Sequence, residues 1–508
     1  MLHHRPTRVL VQLSRARTSR RCARINGIHS HSYQQGNVPL VINGQDVTTS
    51  ESFEVISPLT GKPIWRTATA SKQEVLDAVE TAQSVFPAWS KTKPHERRDI
   101  FLRASDLMVK RREELGEYMH QEIGANRQYQ DFILGLSIEG LRDTAGRIAG
   151  AMQGQVPVSM HPGMNSIIHK RPYGVILGIA PWNAPYHLGL RSITFALAAG
   201  NTAILKGPEL SPKCYWAFVD VFREAGLPDG TLNLLFHRPA DAGPVTEMLI
   251  SHPHVKKINF TGSTKVGSII SATAGKHLKP VLMELGGKAN AIVLKDADIE
   301  KAALHCANGA FLNAGQICMS TERILVHSSI ASKFESVLKE TTSRLFGSPE
   351  TTPVVVTSAS AKRNRELVAS AVSQGAQILS GTTDIVHDTD TRISPIVVSN
   401  VDKSMGLYGT ESFGPSVSLY TFETVEEAVA LANDTEYGLA ASIFTENLAE
   451  AFQLAELLDS GAVHINSMTI HDEFALPHGG VKKSGFGRFN GYQGLDEFLY
   501  CKTVTWMQ

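Results

Sequence analysis

The sequence predicts an α/β fold in which two strand–helix series follow one another. Three observations carry that prediction. From Tyr173, short apolar runs alternate with amphipathic segments, as a parallel sheet covered on both faces by helices requires. A second series of the same kind begins after Gly287. With 508 residues, 42% of them hydrophobic and 19% charged, the chain can bury large cores without help from disulfides.

Composition removes several classes of function. The net charge is zero, and no basic excess points to nucleic acid. No apolar run approaches the ~18 residues of a membrane-spanning helix. Cys22, Cys214, Cys306, Cys318 and Cys501 are odd in number and widely scattered, unlike a disulfide framework or a zinc site, so no metal is expected. Reduced thiols fit a cytosolic or matrix compartment. Residues 1–45 contain no Asp or Glu. Residues 1–32 hold Arg5, Arg8, Arg15, Arg17, Arg20, Arg21 and Arg24 among several Ser and Thr. Arginine interrupts every short apolar run there, so the apolar stretch of a secretory signal is missing. The composition is that of a mitochondrial transit peptide, which predicts a matrix protein. A basic tail on a cytoplasmic protein is the alternative.

The elements follow in order. "SKQEVLDAVETAQSVF" opens on a capping box, Ser71 with Glu74, and repeats Val75, Ala78, Val79 and Ala82 at helical spacing. A second long helix is expected from about Glu96 to Glu122, with Ile100, Ala104, Leu107, Met108 and Leu115 on one face. Residues 154–172, punctuated by Pro and Gly, predict a projecting hairpin. "GVILGIAP" reads as a buried strand followed by a helix towards Ala199. "NTAILKG" is the next strand and "SPKCYWAFVDVFREAG" the next helix; "TLNLLF" and "VKKINFTG" are strands with a helical segment between them. In the second series, "NAIVL", "RILVH", "AQILS", "SVSLYTF", "ASIFT" and "AVHIN" are strands, separated by helices such as Val425–Asn433. "FLYCKTVTW" predicts a terminal strand.

Five short motifs could carry chemistry. In "FLNAGQICMS", Cys318 sits among Ala314, Gly315, Gln316 and Ser320, with neither the apolar run of a structural cysteine nor a second metal ligand nearby. "APWNAP" fixes Asn183 between prolines, where its amide could donate to an oxyanion or simply make a turn. "MELGGK" places Glu284 at the end of a strand-like run, suited to a general base or to an ordinary strand end. "ILKGPE" puts Lys206 and Glu209 at the carboxyl edge of a strand, where ligands bind such sheets; a solvated loop pair is the plain alternative. "NFTGSTKVG" follows a strand and opens a helix, but Thr264 replaces the middle glycine of a phosphate-cradling turn, so an ordinary strand-to-helix turn reads as well.

Taken together, the chain resembles the aldehyde dehydrogenase superfamily over roughly residues 38–508. The resemblance rests on "PWN", "LKGPE", "FTGST", "ELGGK", "GQIC", "ESFGP" and "NDTEYGLAASIFT", in that order. "PWNAPYHLGLR" and "INSMTIHDEFALPHGGVKKSGFGRF" look most like the salicylaldehyde and vanillin dehydrogenase branch.

The resemblance implies a Rossmann-type NAD-binding domain (33–153 and 173–286), an α/β catalytic domain (287–490) and a small oligomerisation element (154–172 and 491–508). It implies Cys318 as nucleophile, Glu284 as the base that activates water, and Asn183 with the Cys318 backbone N–H as oxyanion donors. Lys206 and Glu209 would bind the adenosine ribose of NAD, Gly262, Ser263 and Gly267 would line the pyrophosphate turn, and Trp182, Glu411 and Phe413 would meet the nicotinamide end. The substrate would be an aldehyde, aromatic and hydroxylated, with Arg191 in its pocket. Arg191 follows His187 by four residues on one helix face, so a structural pairing with a buried acid is its alternative. A homodimer or homotetramer is implied. An aliphatic or semialdehyde dehydrogenase, a CoA-acylating enzyme, an NADP-linked enzyme and a catalytically silent protein on the same fold are the rivals. Two departures from the family pattern stand out. A loop is shortened at "FGSPETTPVVV", expected to affect only the surface, and His478 stands where Phe is common, expected to alter the pocket rim or a subunit contact.

Overall fold

The structure is a computed structural model that describes residues 36–507. The leader expected at residues 1–32 lies outside them. Among the described residues, no helix is long and apolar enough to cross a membrane.

Runs without polar alternation become the inner strands. Val175–Ile179, VILGI, is buried at every position, as are Leu232–Leu235 and the first four residues of Thr202–Lys206. Val281–Glu284, Val255–Thr261, Val175–Ile179, Thr202–Lys206 and Leu232–Leu235 lie parallel in that order. Antiparallel strands close both edges: Gly485–Phe486 beside Val281–Glu284, and Leu40–Ile42 with Gln45–Val47 at the far side. Helix Pro185–Ala198 is buried at every residue, which accounts for its apolar content on all sides.

The second sheet orders Gln377–Ser380, Ile396–Ser399, Ser416–Phe422, Thr321–His327, Ala289–Val293, Ala440–Phe444 and Ala462–Ile465. All its pairs are parallel except the first. Helix Ile299–Phe311 covers one face through Ala303, Cys306 and Ala310. The other face packs on helices Val425–Asn433 and Leu448–Glu456.

Four expectations change. The helix expected over 96–122 is two helices, Pro94–Lys110 and Arg112–Ile123, broken at Arg111, whose φ and ψ of −95° and 14° leave the helical region. Arg111 spends its guanidinium on Glu114 and Asp220, which ties the break to helix Pro212–Glu224. The helix Arg127–Ala151 and the strand Ile396–Ser399 were not among the expected elements. The segment 154–172 does not fold back on itself alone: Met164–Pro172 pairs antiparallel with Leu499–Met507 along its whole length. This ribbon carries exposed Tyr500, Val504, Trp506 and Met507, and the adjoining Val158 is 98% exposed.

Candidate active site

The sequence NAGQIC folds into a turn that few residues accept. Asn313, Ala314 and Gly315 have φ of 49°, 60° and 69°, all left-handed. Such a conformation costs a non-glycine residue about 1–2 kcal/mol, so its surroundings have to enforce it. At Gly315 a Cβ would lie 2.3 Å from the Gly414 carbonyl oxygen, so only glycine fits. Gln316 clamps the turn. Its Nε2 donates to the carbonyls of Asn313 and Val354, and its Oε1 accepts from the Val356 N–H at 2.8 Å. The segment expected to be only a surface loop is therefore exposed over 347–350 but buried at Val355 and Val356, where it supports the nucleophile turn.

Cys318 leaves this turn half-buried. Its carbonyl lies against Gly287, where a Cβ would come within 2.2 Å. Burial pushes the Cys318 thiol well above its ordinary range, and the neighbouring Glu284 carboxylate pushes the same way, opposed by Arg191. Glu284 ends its strand, fully buried, with Oε1 lacking any protein partner. Asn183 follows the strand Val175–Ile179. Its Nδ2 donates one hydrogen to the Gln316 carbonyl at 2.8 Å, and the second hydrogen of the amide remains. The Asn183 carbonyl is held by Tyr129 Oη and Asn313 Nδ2.

Cys318, Asn183 and Arg191 line one pocket, about 390 Å³ including its mouth, walled by Tyr129, Phe132, Ile133, Leu188, Ile317, Met319 and Ile470. Arg191 is 1% exposed, and both its Nη atoms are taken: Nη2 donates to Glu284 Oε2 at 2.7 Å and Nη1 to Asp472 Oδ2 at 2.9 Å. Its plane lies over Phe489, 4.6 Å from the ring centre. The pairing with a buried acid is thus present, twice over, and uses one hydrogen of each terminal nitrogen. Asp472 also accepts from His187 Nε2 at 2.8 Å and Asn490 Nδ2 at 2.7 Å. Burial opposes its ionisation, but His478, His187 and Arg191 outweigh burial and hold it well below the usual carboxylate range. His478, expected at a rim, is 5% exposed in the pocket wall. Asp472, Asn490 and Tyr129 carried no signal in the sequence, because nothing local marks an acid in "IHDEF" as buried.

A second group of residues collects at the carboxyl edge of the first sheet. Lys206 ends its strand; burial lowers its ammonium to about 8, against the pull of Glu209. His237, just past the neighbouring strand, is 3% exposed; its Nδ1 faces the Arg238 carbonyl and its Nε2 has no protein partner. Such an orphaned nitrogen beside Lys206 fits a polar ligand at this edge. Gly262 and Ser263 lead into helix Thr264–Lys276, where Ser263 caps through the Val266 N–H. Gly267 packs against Leu285, whose side chain would have to shift to admit a Cβ, 2.4 Å from its nearest methyl. Trp182 meets Phe413 edge to face, ring centres 5.9 Å apart. Glu411 accepts from the Gly287 N–H at 3.0 Å; burial, with Glu322 nearby, raises its carboxyl to about 8. Phe413 has a left-handed φ of 46°, and its N–H is held by Glu322, itself paired with Lys288. Among the described residues, no group of His, Cys, Asp and Glu is arranged to hold a metal ion.

The chain is similar to known proteins along most of its length. The aldehyde dehydrogenase family model matches residues 46–504. Vanillin dehydrogenase of Pseudomonas fluorescens is 40% identical over 478 residues, covering 92% of this chain and 98% of its own. Salicylaldehyde dehydrogenase of Pseudomonas putida is 35% identical over 466 residues, covering 91% and 95%. The crystal structure of a salicylaldehyde dehydrogenase from Pseudomonas putida G7 complexed with salicylaldehyde has a TM-score of 0.89 to this chain at 34% identity, covering 93% of this chain and 98% of that one.

Arg191→Leu would leave Glu284 and Asp472 as buried charges without their shared cation. Removing one partner of a buried pair costs about 3–5 kcal/mol. The expected result is a melting temperature lower by several degrees and a comparable loss of activity on salicylaldehyde, benzaldehyde and hexanal. A loss confined to salicylaldehyde, with unchanged melting, would return Arg191 to the role of substrate reader.

Proposed function

The chain belongs to the aldehyde dehydrogenase family, and on that premise we propose that it oxidises an aromatic aldehyde to the carboxylic acid with NAD. The observation that carries this reading is the convergence of the Cys318 thiol and the Asn183 amide on one pocket with aromatic and aliphatic walls, with the buried Glu284 carboxylate next to the thiol.

The chemistry follows from the states of these groups. Burial and Glu284 keep Cys318 protonated, so the reactive thiolate arises as the proton passes to Glu284, whose Oε1 is free to take it. The sulfur then attacks the carbonyl carbon. The second hydrogen of Asn183 Nδ2 and the Cys318 backbone N–H stabilise the oxyanion; one such donor is typically worth about 3 kcal/mol. A bound nicotinamide dinucleotide supplies the hydride acceptor that makes the acyl group on Cys318 a thioester. Once Glu284 has released the first proton to solvent, it takes a proton from water as the water oxygen attacks the thioester carbon; the C–S bond breaks, Cys318 is regenerated and the acid leaves. A base at this place favours water over CoA as the acceptor. Lys206, Glu209, Gly262, Ser263 and Gly267 would hold the adenosine and pyrophosphate, and Trp182, Glu411 and Phe413 the nicotinamide end.

Cys318→Ala should abolish NADH formation from benzaldehyde. Glu284→Gln should keep only a slowed, partial first burst of NADH, since the thiol loses its proton acceptor, and should lose most of the steady-state rate, by a factor on the order of 10²–10⁴. Steady-state rates near wild type in either variant would remove that residue from the mechanism.

NAD is preferred over NADP in this reading because a carboxylate at Glu209 accepts ribose hydroxyls and repels a 2′-phosphate. The kcat/KM ratio of the two cofactors should favour NAD and fall in Glu209→Gln. Equal use of NADP by the wild type would place Glu209 away from the ribose.

The Arg-rich leader lies outside the matched residues 46–504, and we propose that it directs import into mitochondria. A fluorescent reporter fused to residues 1–32 should enter the organelle; a diffuse cytosolic signal would make the leader a basic tail.

A further inference from the structure

The wall of the substrate pocket contains two imidazoles that the mechanism does not use. His187 is 4% exposed and His478 5%, and both line the pocket with Cys318. Each turns one nitrogen towards Asp472. His187 Nε2 lies 2.8 Å from Oδ2, and His478 Nδ1 lies 3.9 Å from Oδ1. The opposite nitrogens, His187 Nδ1 and His478 Nε2, have no hydrogen-bond partner in the protein. Buried polar atoms are nearly always paired, so two such orphans in one ligand pocket mark the place of a polar group on the ligand.

Asp472 fixes what kind of group this is. It is ionised and accepts hydrogen bonds only. The His187 nitrogen that bonds it carries a hydrogen, so the neutral ring has its lone pair on Nδ1; in His478 the tautomer with hydrogen on Nδ1, the side nearer the carboxylate, has its lone pair on Nε2. Burial lowers the His478 pKa, with Arg191 acting in the same direction and Asp472 and Glu284 opposing. The rings are also held in place. The His478 backbone exchanges two hydrogen bonds with Phe489, and the His187 ring meets Phe474 edge to face. Beside the apolar side chains of the wall, the pocket thus presents fixed acceptors where a ring substituent would lie.

We infer that His187 Nδ1 and His478 Nε2 are specificity-determining acceptors for a hydroxyl group on the aromatic ring of the substrate. This rests on the proposed oxidation of aromatic aldehydes and narrows it to phenolic ones. A hydroxyl donates to an imidazole lone pair; fluorine, hydrogen or an ether oxygen cannot, and each leaves a buried nitrogen unpaired. Arg191, by contrast, is anchored through both terminal nitrogens on Glu284 and Asp472 and offers donors only, so it cannot accept from a hydroxyl.

The test compares each hydroxybenzaldehyde isomer with the fluorobenzaldehyde of the same substitution, close in size but lacking the donor, using the full-length enzyme and NAD. The readout is the ratio of kcat/KM within each pair, so a general loss in a variant cancels. In the wild type at least one isomer should favour hydroxyl about tenfold or more. His478→Phe and His187→Leu should each bring that ratio down several-fold. His478→Gln, which restores an acceptor oxygen, should recover most of it. Ratios near one for all three isomers in the wild type, or ratios unchanged in both histidine variants, would overturn the inference while aromatic turnover itself stands. Turnover of hexanal with none of any benzaldehyde would overturn the aromatic reading along with it.

Discussion

Arg191 sits on a helix with no exposed residue and shares its charge between Glu284, from the edge of the first sheet, and Asp472, from the chain 188 positions further on. Three charged groups in an apolar interior are tolerable only as a set. Together they carry one net negative charge, and Asn490 and His187 add donors to the Asp472 end. The arrangement leaves Glu284 Oε1 unpartnered beside Cys318 while Oε2 is anchored. A carboxylate tied by one oxygen and free at the other is oriented without being spent. The pocket wall and the base thus draw their geometry from one guanidinium.

The nucleophile is positioned by a separate device. Its turn is conformationally unfavourable, and side-chain amides rather than hydrophobic packing keep it closed. Gln316 spans the turn and the strand-like segment 354–356, and Asn183 reaches the Gln316 carbonyl from the first sheet. The site therefore joins the two sheets through hydrogen bonds to main-chain carbonyls, so its geometry depends little on which side chains occupy the surrounding positions.

Much of this was legible from the chain. The buried strands read as uninterrupted apolar runs, and helix Val425–Asn433 falls on the residues expected of it. Cys318 and Glu284 stood out because their neighbours were small, polar or glycine. What was not legible depends on long-range contact. Arg111 breaks a helix through partners in another helix, and Asp472 is an acid like any other until four side chains converge on it. His478 was noticed only as a departure, and its burial against Asp472 gives that departure a chemical meaning. Helical spacing placed Arg191 on the face that lines the pocket but cannot reveal that two carboxylates already wait there.

The segment that grips Gln316 also bears on how this chain tolerates change. Residues 347–350 are exposed, while Val355 and Val356 are buried and bonded to the nucleophile turn. Insertions and deletions can accumulate in the first stretch without reaching the chemistry, since the second stretch holds the register. The shortened loop of this chain is then a change of contour upstream of a fixed anchor. For grafting or tagging, the same boundary separates a permissive site from one where a single added residue would be felt at the thiol.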